Sequence, residues 1–173
     1  MDPVETKLNI LIDGMKKKSQ ALTEIKSITE NQGTVLASAL KKDEILAFIV
    51  QMNREKQVNI QTVIDCDNLF EKILKEIGPE LDANQHLYGP QINAIQEMIR
   101  VVMDLDVSIR VLEDKNNDKM KRLNGLATPR AQRSVIPEHI KEMKKPNVRQ
   151  AAVIKDDNRV IKAYENNSRN YKG

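Results

Sequence analysis

The sequence predicts an all-α chain. Residues 1–124 read as an elongated antiparallel three-helix coiled-coil bundle, and residues 125–173 as a basic, mostly flexible tail with short amphipathic helical segments. Three observations predict this. Apolar residues recur at steps of three and four along three long runs, which places them on one face of a helix. Aromatic residues are 3% of the chain and Trp is absent, while hydrophobic residues reach 40%. The apolar stock is therefore Ile, Leu, Val and Met, which suits narrow seams between long helices. Six Gly and six Pro in 173 residues leave few turns.

The first run spans about 4–41. Leu8, Leu11, Met15, Leu22, Ile25, Leu36 and Ala39 follow the seam, and Ile12, Ile28, Val35 and Leu40 widen it to the face a bundle needs. Lys18, Thr29 and Gln32 fall in the same frame. Gly14 and Gly33 each weaken such a helix by about 1 kcal/mol relative to Ala, and Gly33 marks a place for a bend.

The second run spans about 43–77, with Asp43 as the expected N-cap and Glu44 in the first turn. Its seam reads Ile45, Ile49, Met52, Lys56, Asn59, Val63, Cys66, Phe70, Ile73 and Ile77. Gly78-Pro79 is the expected stop, since proline cannot continue the hydrogen-bond ladder. Residues 79–90 then form a connector, with a turn of helix around Glu80 to His86.

Pro90 suits the first turn of a third helix over about 91–123. Its stripe is Ile92, Ile95, Met98, Ile99, Val102, Leu105, Ile109, Leu112, Met120 and Leu123. Asn116 and Lys119 interrupt the stripe, so the last turns are expected to fray or lie at a surface. Short connections make successive helices antiparallel neighbours.

Composition changes after Leu123. Residues 124–173 carry eleven Lys/Arg against five Asp/Glu, a net of +6, whereas the first 123 residues carry a net of −3. Pro129, Pro137 and Pro146 divide this segment. Two short amphipathic stretches, Ile136 to Met143 and Ala152 to Tyr164, are too short to stand as isolated helices. They read as segments that order when docked. The expected partner-binding residues are Val135, Ile136, Ile140, Met143, Val153, Val160, Ile161 and Tyr164, apolar in a stretch without its own core.

No catalytic, cofactor-binding or metal-binding residue is expected, and the chain does not read as an enzyme. His86 and His139 are far apart and have no Cys or His at ligand spacing. No phosphate-cradling glycine loop and no nucleophile elbow occurs. The single cysteine, Cys66, excludes an internal disulfide and reads as a buried free thiol. No apolar run reaches a membrane span, and the N-terminus lacks signal-peptide character, so a cytoplasmic protein without membrane insertion is expected. Lys141, Lys144, Lys145 and Arg149 invite phosphate attraction, but Glu138 and Glu142 dilute the cluster, so no specific nucleic-acid partner is expected. Lys56, Asn59, Thr29 and Gln32 in the seams have two readings, register control or the lining of a groove for a partner helix.

The order of these features resembles the FlgN-like flagellar type III export chaperones over the first 125 residues or so. The resemblance rests on Leu8-x-x-Leu11-Ile12 and Leu22-x-x-Ile25-x-x-Ile28 in the first helix, Lys41-Lys42-Asp43-Glu44-Ile45 at the break, and Met52-Asn53-Arg54-Glu55-Lys56 in the second helix. A glycine-proline region, a third amphipathic helix and a polar tail follow. The basic tail and the long 79–90 connector depart from the usual pattern, which leaves the sibling filament-cap chaperones open. The resemblance implies a cytoplasmic chaperone for the C-terminal helical segments of hook–filament junction proteins, keeping them from aggregating and delivering them to the export apparatus. In such chaperones the segment after the third helix takes part in cargo binding. A self-associating structural or scaffolding coiled coil is the alternative, and a homodimer stays open.

Overall fold

A computed structural model of the chain describes residues 2–125. They form three long helices, α1 (Pro3–Leu36), α2 (Lys42–Ala83) and α3 (Gly89–Leu123), with one turn of 3-10 helix at Gln85–Leu87. Among the described residues there is no strand. The all-α three-helix bundle expected from the periodicity is the observed architecture.

Asp2 opens α1. Its Oδ1 accepts from the Val4 backbone N–H at 3.1 Å, and Pro3 takes a first-turn position that needs no donor. The helix ends at Leu36, five residues before the expected boundary. Ala39 and Leu40 are exposed, so continuing the helix would bury nothing there. Ser38 Oγ donates to the Val35 carbonyl at 2.6 Å and closes the end. The cap of α2 is also shifted. Lys41, not Asp43, is the N-cap residue, and its backbone N–H donates to Glu44 Oε2 at 3.1 Å.

The expected stop at Gly78-Pro79 is overridden. Helix α2 runs through Pro79 to Ala83. A proline inside a helix costs about 3 kcal/mol. Burial of a Leu side chain returns about 1.5–3 kcal/mol, and Leu81 is in the core beside Ile77. The 42-residue helix is about 60 Å long at 1.5 Å per residue. Asn84 ends it, donating from its backbone N–H to the Glu80 carbonyl at 3.1 Å.

Helix α1 is the axis of the bundle, because its backbone runs close to both α2 and α3 while those two scarcely approach each other. It lies parallel to α3 in a fixed register. Asp2 meets Tyr88, Glu5 meets Gln91 and Gly33 meets Lys119, each pair 86 residues apart. It lies antiparallel to α2, with Lys7 opposite Glu76, Lys18 opposite Asp67 and Gln32 opposite Asn53. The seams keep strict sevens: Val4, Leu11, Lys18, Ile25 and Gln32 on α1, and Ile92, Ile99, Asp106, Glu113 and Met120 on α3, are all buried.

The core divides in two. A long cluster runs from Val4, Leu81 and Ile92 to Ile25, Ile60 and Ile109. A small one at the other end holds Leu36, Ile45, Ile49 and Met120. On α2, Ile60 takes the place expected for Asn59. Cys66 is a buried free thiol, and burial pushes its pKa up.

Candidate partner-binding surface

The gap between the two apolar clusters is filled by a polar layer that ties all three helices together. Lys56 of α2 is its centre. Its Nζ donates to Glu113 Oε1 of α3 at 2.5 Å and to Gln32 Oε1 of α1 at 2.6 Å. Gln32 Nε2 donates to Asn53 Oδ1 at 2.8 Å, and Thr29 Oγ1 lies 3.4 Å from Glu113 Oε1. Asn116 Nδ2 donates to the Thr29 carbonyl at 2.8 Å. Burial pushes the Lys56 pKa down, and the adjoining Glu113 carboxylate partly offsets this.

A second buried pair, Lys18 Nζ to Asp67 Oδ1 at 2.6 Å, joins α1 to α2. Between the two readings of the seam residues, this geometry favours register control. Lys56, Gln32 and Thr29 direct their hydrogen bonds into the bundle. Asn59 is half-buried and donates to the Glu55 carbonyl of its own helix. A partner helix would have to break an ion pair to reach the others, leaving a buried charge uncompensated.

Asn116 and Lys119, expected to mark fraying or a surface, instead pin the end of α3. Asn116 is buried, and Lys119 Nζ donates to the Gly33 carbonyl at 3.0 Å. Helix α1 has no basic residue in its last turn, so Lys119 supplies from α3 the cation that a helix C-terminus favours.

The outward surface is where a partner has access. On α2, Glu44, Phe48, Glu55, Val58, Asp65, Leu69 and Glu76 follow one another at three-, four- and seven-residue steps. They form a single stripe in which acidic and apolar side chains alternate. Phe48 is 51% exposed and Val58 70% exposed. The stripe borders α1, since Leu69 reaches to within 3.7 Å of where a Cβ on Gly14 would stand and Glu76 pairs with Lys7 at 2.8 Å. Helix α3 exposes Val101, Val107 and Val111.

The expected binding residues Val135, Ile136, Ile140, Met143, Val153, Val160, Ile161 and Tyr164 lie outside the described residues. Sequence reasoning missed Phe48 and Val58 as surface residues, because a stripe search collects apolar residues facing inward. It also missed Asp67, Asp106 and Glu113. The available signal was charge balance: two lysines in seam positions require carboxylates in the same frame.

Among the described residues no group of His, Cys, Asp and Glu is placed to hold a metal ion. No helix among them is long and apolar enough to cross a membrane. His86 is exposed in the 3-10 turn. No known protein family, curated protein or solved structure matches the chain.

Proposed function

We propose that the chain is a cytoplasmic export chaperone of the FlgN kind. In this reading it holds the C-terminal helical segments of hook–filament junction proteins, keeps them from aggregating and hands them to the flagellar export apparatus. The observation that carries the proposal is the α2 stripe, with Phe48 and Val58 turned outward between acidic side chains on a bundle that is already internally keyed. An amphipathic cargo helix lays its apolar face along such a stripe by helix-in-groove docking. The apolar residues from Val135 to Tyr164 add a second contact to the captured helix in this reading.

The test is co-expression of the full chain with a hook–filament junction protein, followed by light scattering of the purified material. The expected result is a small complex of fixed stoichiometry that forms only with the cargo. Large homo-oligomers formed by the chain alone would instead support the self-associating scaffold, and a chain that stays apart from every such cargo would overturn the proposal.

A further inference from the structure

At the end of the bundle where α1 stops, a groove of about 590 Å³ opens between α1 and α3. Glu30, Gly33 and Thr34 of α1 and Ala37 and Ser38 just after it line one side, and Lys115 and Lys119 of α3 line the other. Around Gly33, Thr34, Ala37 and Ser38 the side chains are small, so a visiting helix can approach closely there. The α3 side places two ammonium groups one helical turn apart. Lys119 already donates to the Gly33 carbonyl, but an ammonium has three donors. Lys115 is exposed beside it. Glu30 also lines the groove, so its lining carries two lysines against one carboxylate.

Resting on the chaperone reading, we infer that this groove receives an acidic amphipathic helix of the partner, whose carboxylates at i and i+4 meet Lys115 and Lys119. Leu112, also in the lining, offers the apolar contact beside them. The charge of the following sequence supports the same occupant. Helix α3 ends at Leu123, Gly125 turns with φ of 61°, and the residues from 124 onward carry a net of +6. A partner with acidic side chains is therefore complementary in charge both to the lysines of the groove and to the sequence that follows α3.

The test uses the full chain and a labelled, designed amphipathic helical peptide with Glu pairs at i,i+4, alongside the same peptide with Gln in their place. Fluorescence anisotropy at low salt is expected to give about tenfold tighter binding for the Glu peptide. Lys115→Glu is expected to erase that preference while leaving the helical circular dichroism unchanged. Lys115→Gln is expected to give an intermediate result. Equal binding of the two peptides, or a preference that survives Lys115→Glu, would overturn the inference without touching cargo capture in co-expression. Displacement of the Glu peptide by an oligonucleotide at lower concentration than by unlabelled peptide would reassign the groove to nucleic acid. Tighter peptide binding in a Glu138→Gln/Glu142→Gln variant would reassign it to the chain's own C-terminal segment. Either result overturns the inference.

Discussion

Gly33 of α1 lies directly under Asn116 of α3, so that a Cβ at position 33 would stand 2.7 Å from Asn116 Oδ1 and 3.3 Å from Lys119 Nζ. Helix propensity alone favours alanine at this site by about 1 kcal/mol. The close approach reverses the sign. Gly33→Ala pushes Asn116 off the Thr29 carbonyl and Lys119 off the Gly33 carbonyl, and overpacking of this kind costs about 1–3 kcal/mol. Urea unfolding is expected to give a lower midpoint for Gly33→Ala than for the parent chain. A higher midpoint would mean that α3 yields easily at this point.

The Lys56–Glu113 pair sits fully inside the bundle, with each side chain almost completely out of water. Removing one partner leaves a buried charge alone, which costs about 3–5 kcal/mol, whereas replacing both with apolar residues of similar volume is often neutral or stabilising. Lys56→Met and Glu113→Leu are each expected to destabilise strongly, and the double variant to recover most of the loss. The double variant should also lose register, because Gln32 no longer has Lys56 to meet. Two singles whose costs simply add in chemical denaturation would show that the groups act independently.

Much of this fold was legible from spacing. The three- and four-residue spacing marked three long helices and placed Lys18, Thr29, Gln32 and Lys56 in the seams, where they are found. Asp106 and Glu113 stand in the same sevens as Ile92 and Ile99, but a stripe built from apolar residues alone passes over them. Pro79 misled for a related reason. A local breaker signal was set against the burial of Leu81, a tertiary term that no local window contains. The early end of α1 was equally hidden, since it depends on Leu40 finding nothing to pack against.

Burial holds the Lys56 ammonium below the usual lysine value of 10.5. Between that lowered value and 10.5, the unfolded chain keeps a proton that the folded chain has shed. Stability from this residue therefore rises with pH in that window. Tyr88 works the other way, because its hydrogen bond to Asp2 pushes its pKa up to about 12. The folded state then holds the extra proton, and stability falls above the unfolded tyrosine value of 10.0. In a Tyr88→Phe background, thermal unfolding is expected to show a stability rise on the alkaline side that disappears when Lys56→Met is added. An alkaline limb that Lys56→Met leaves unchanged would assign it to another group.

Asp2 titrates at the opposite end of the scale. The Tyr88 hydroxyl and the Val4 N–H hold its carboxyl below the ordinary 3.8. The resulting stabilisation is fully present above 3.8 and fades as the pH falls through the lowered folded value. Tyr88→Phe removes the larger of these two contacts, so part of the acid sensitivity should go with it. Acid titration followed by circular dichroism is expected to give a shallower stability loss below pH 4 for Tyr88→Phe. An identical acid limb in both proteins would place the sensitivity elsewhere.

Phe48 and Val58 separate folding from binding. Both are more exposed than covered on the described bundle, and surface substitutions away from packed features usually change stability by less than about 0.5 kcal/mol. Phe48→Ser and Val58→Ser are therefore expected to leave the urea midpoint nearly unchanged. If the α2 stripe carries the cargo, the same substitutions remove apolar area from the contact. Loss of an aromatic anchor commonly costs about 2 kcal/mol or more, roughly thirtyfold in affinity. Isothermal titration with the captured cargo segment is expected to show weakened binding, larger for Phe48→Ser than for Val58→Ser. Full affinity in a Phe48→Ser/Val58→Ser double variant would move the contact off α2, leaving the Val101, Val107 and Val111 face of α3 as the next surface to test.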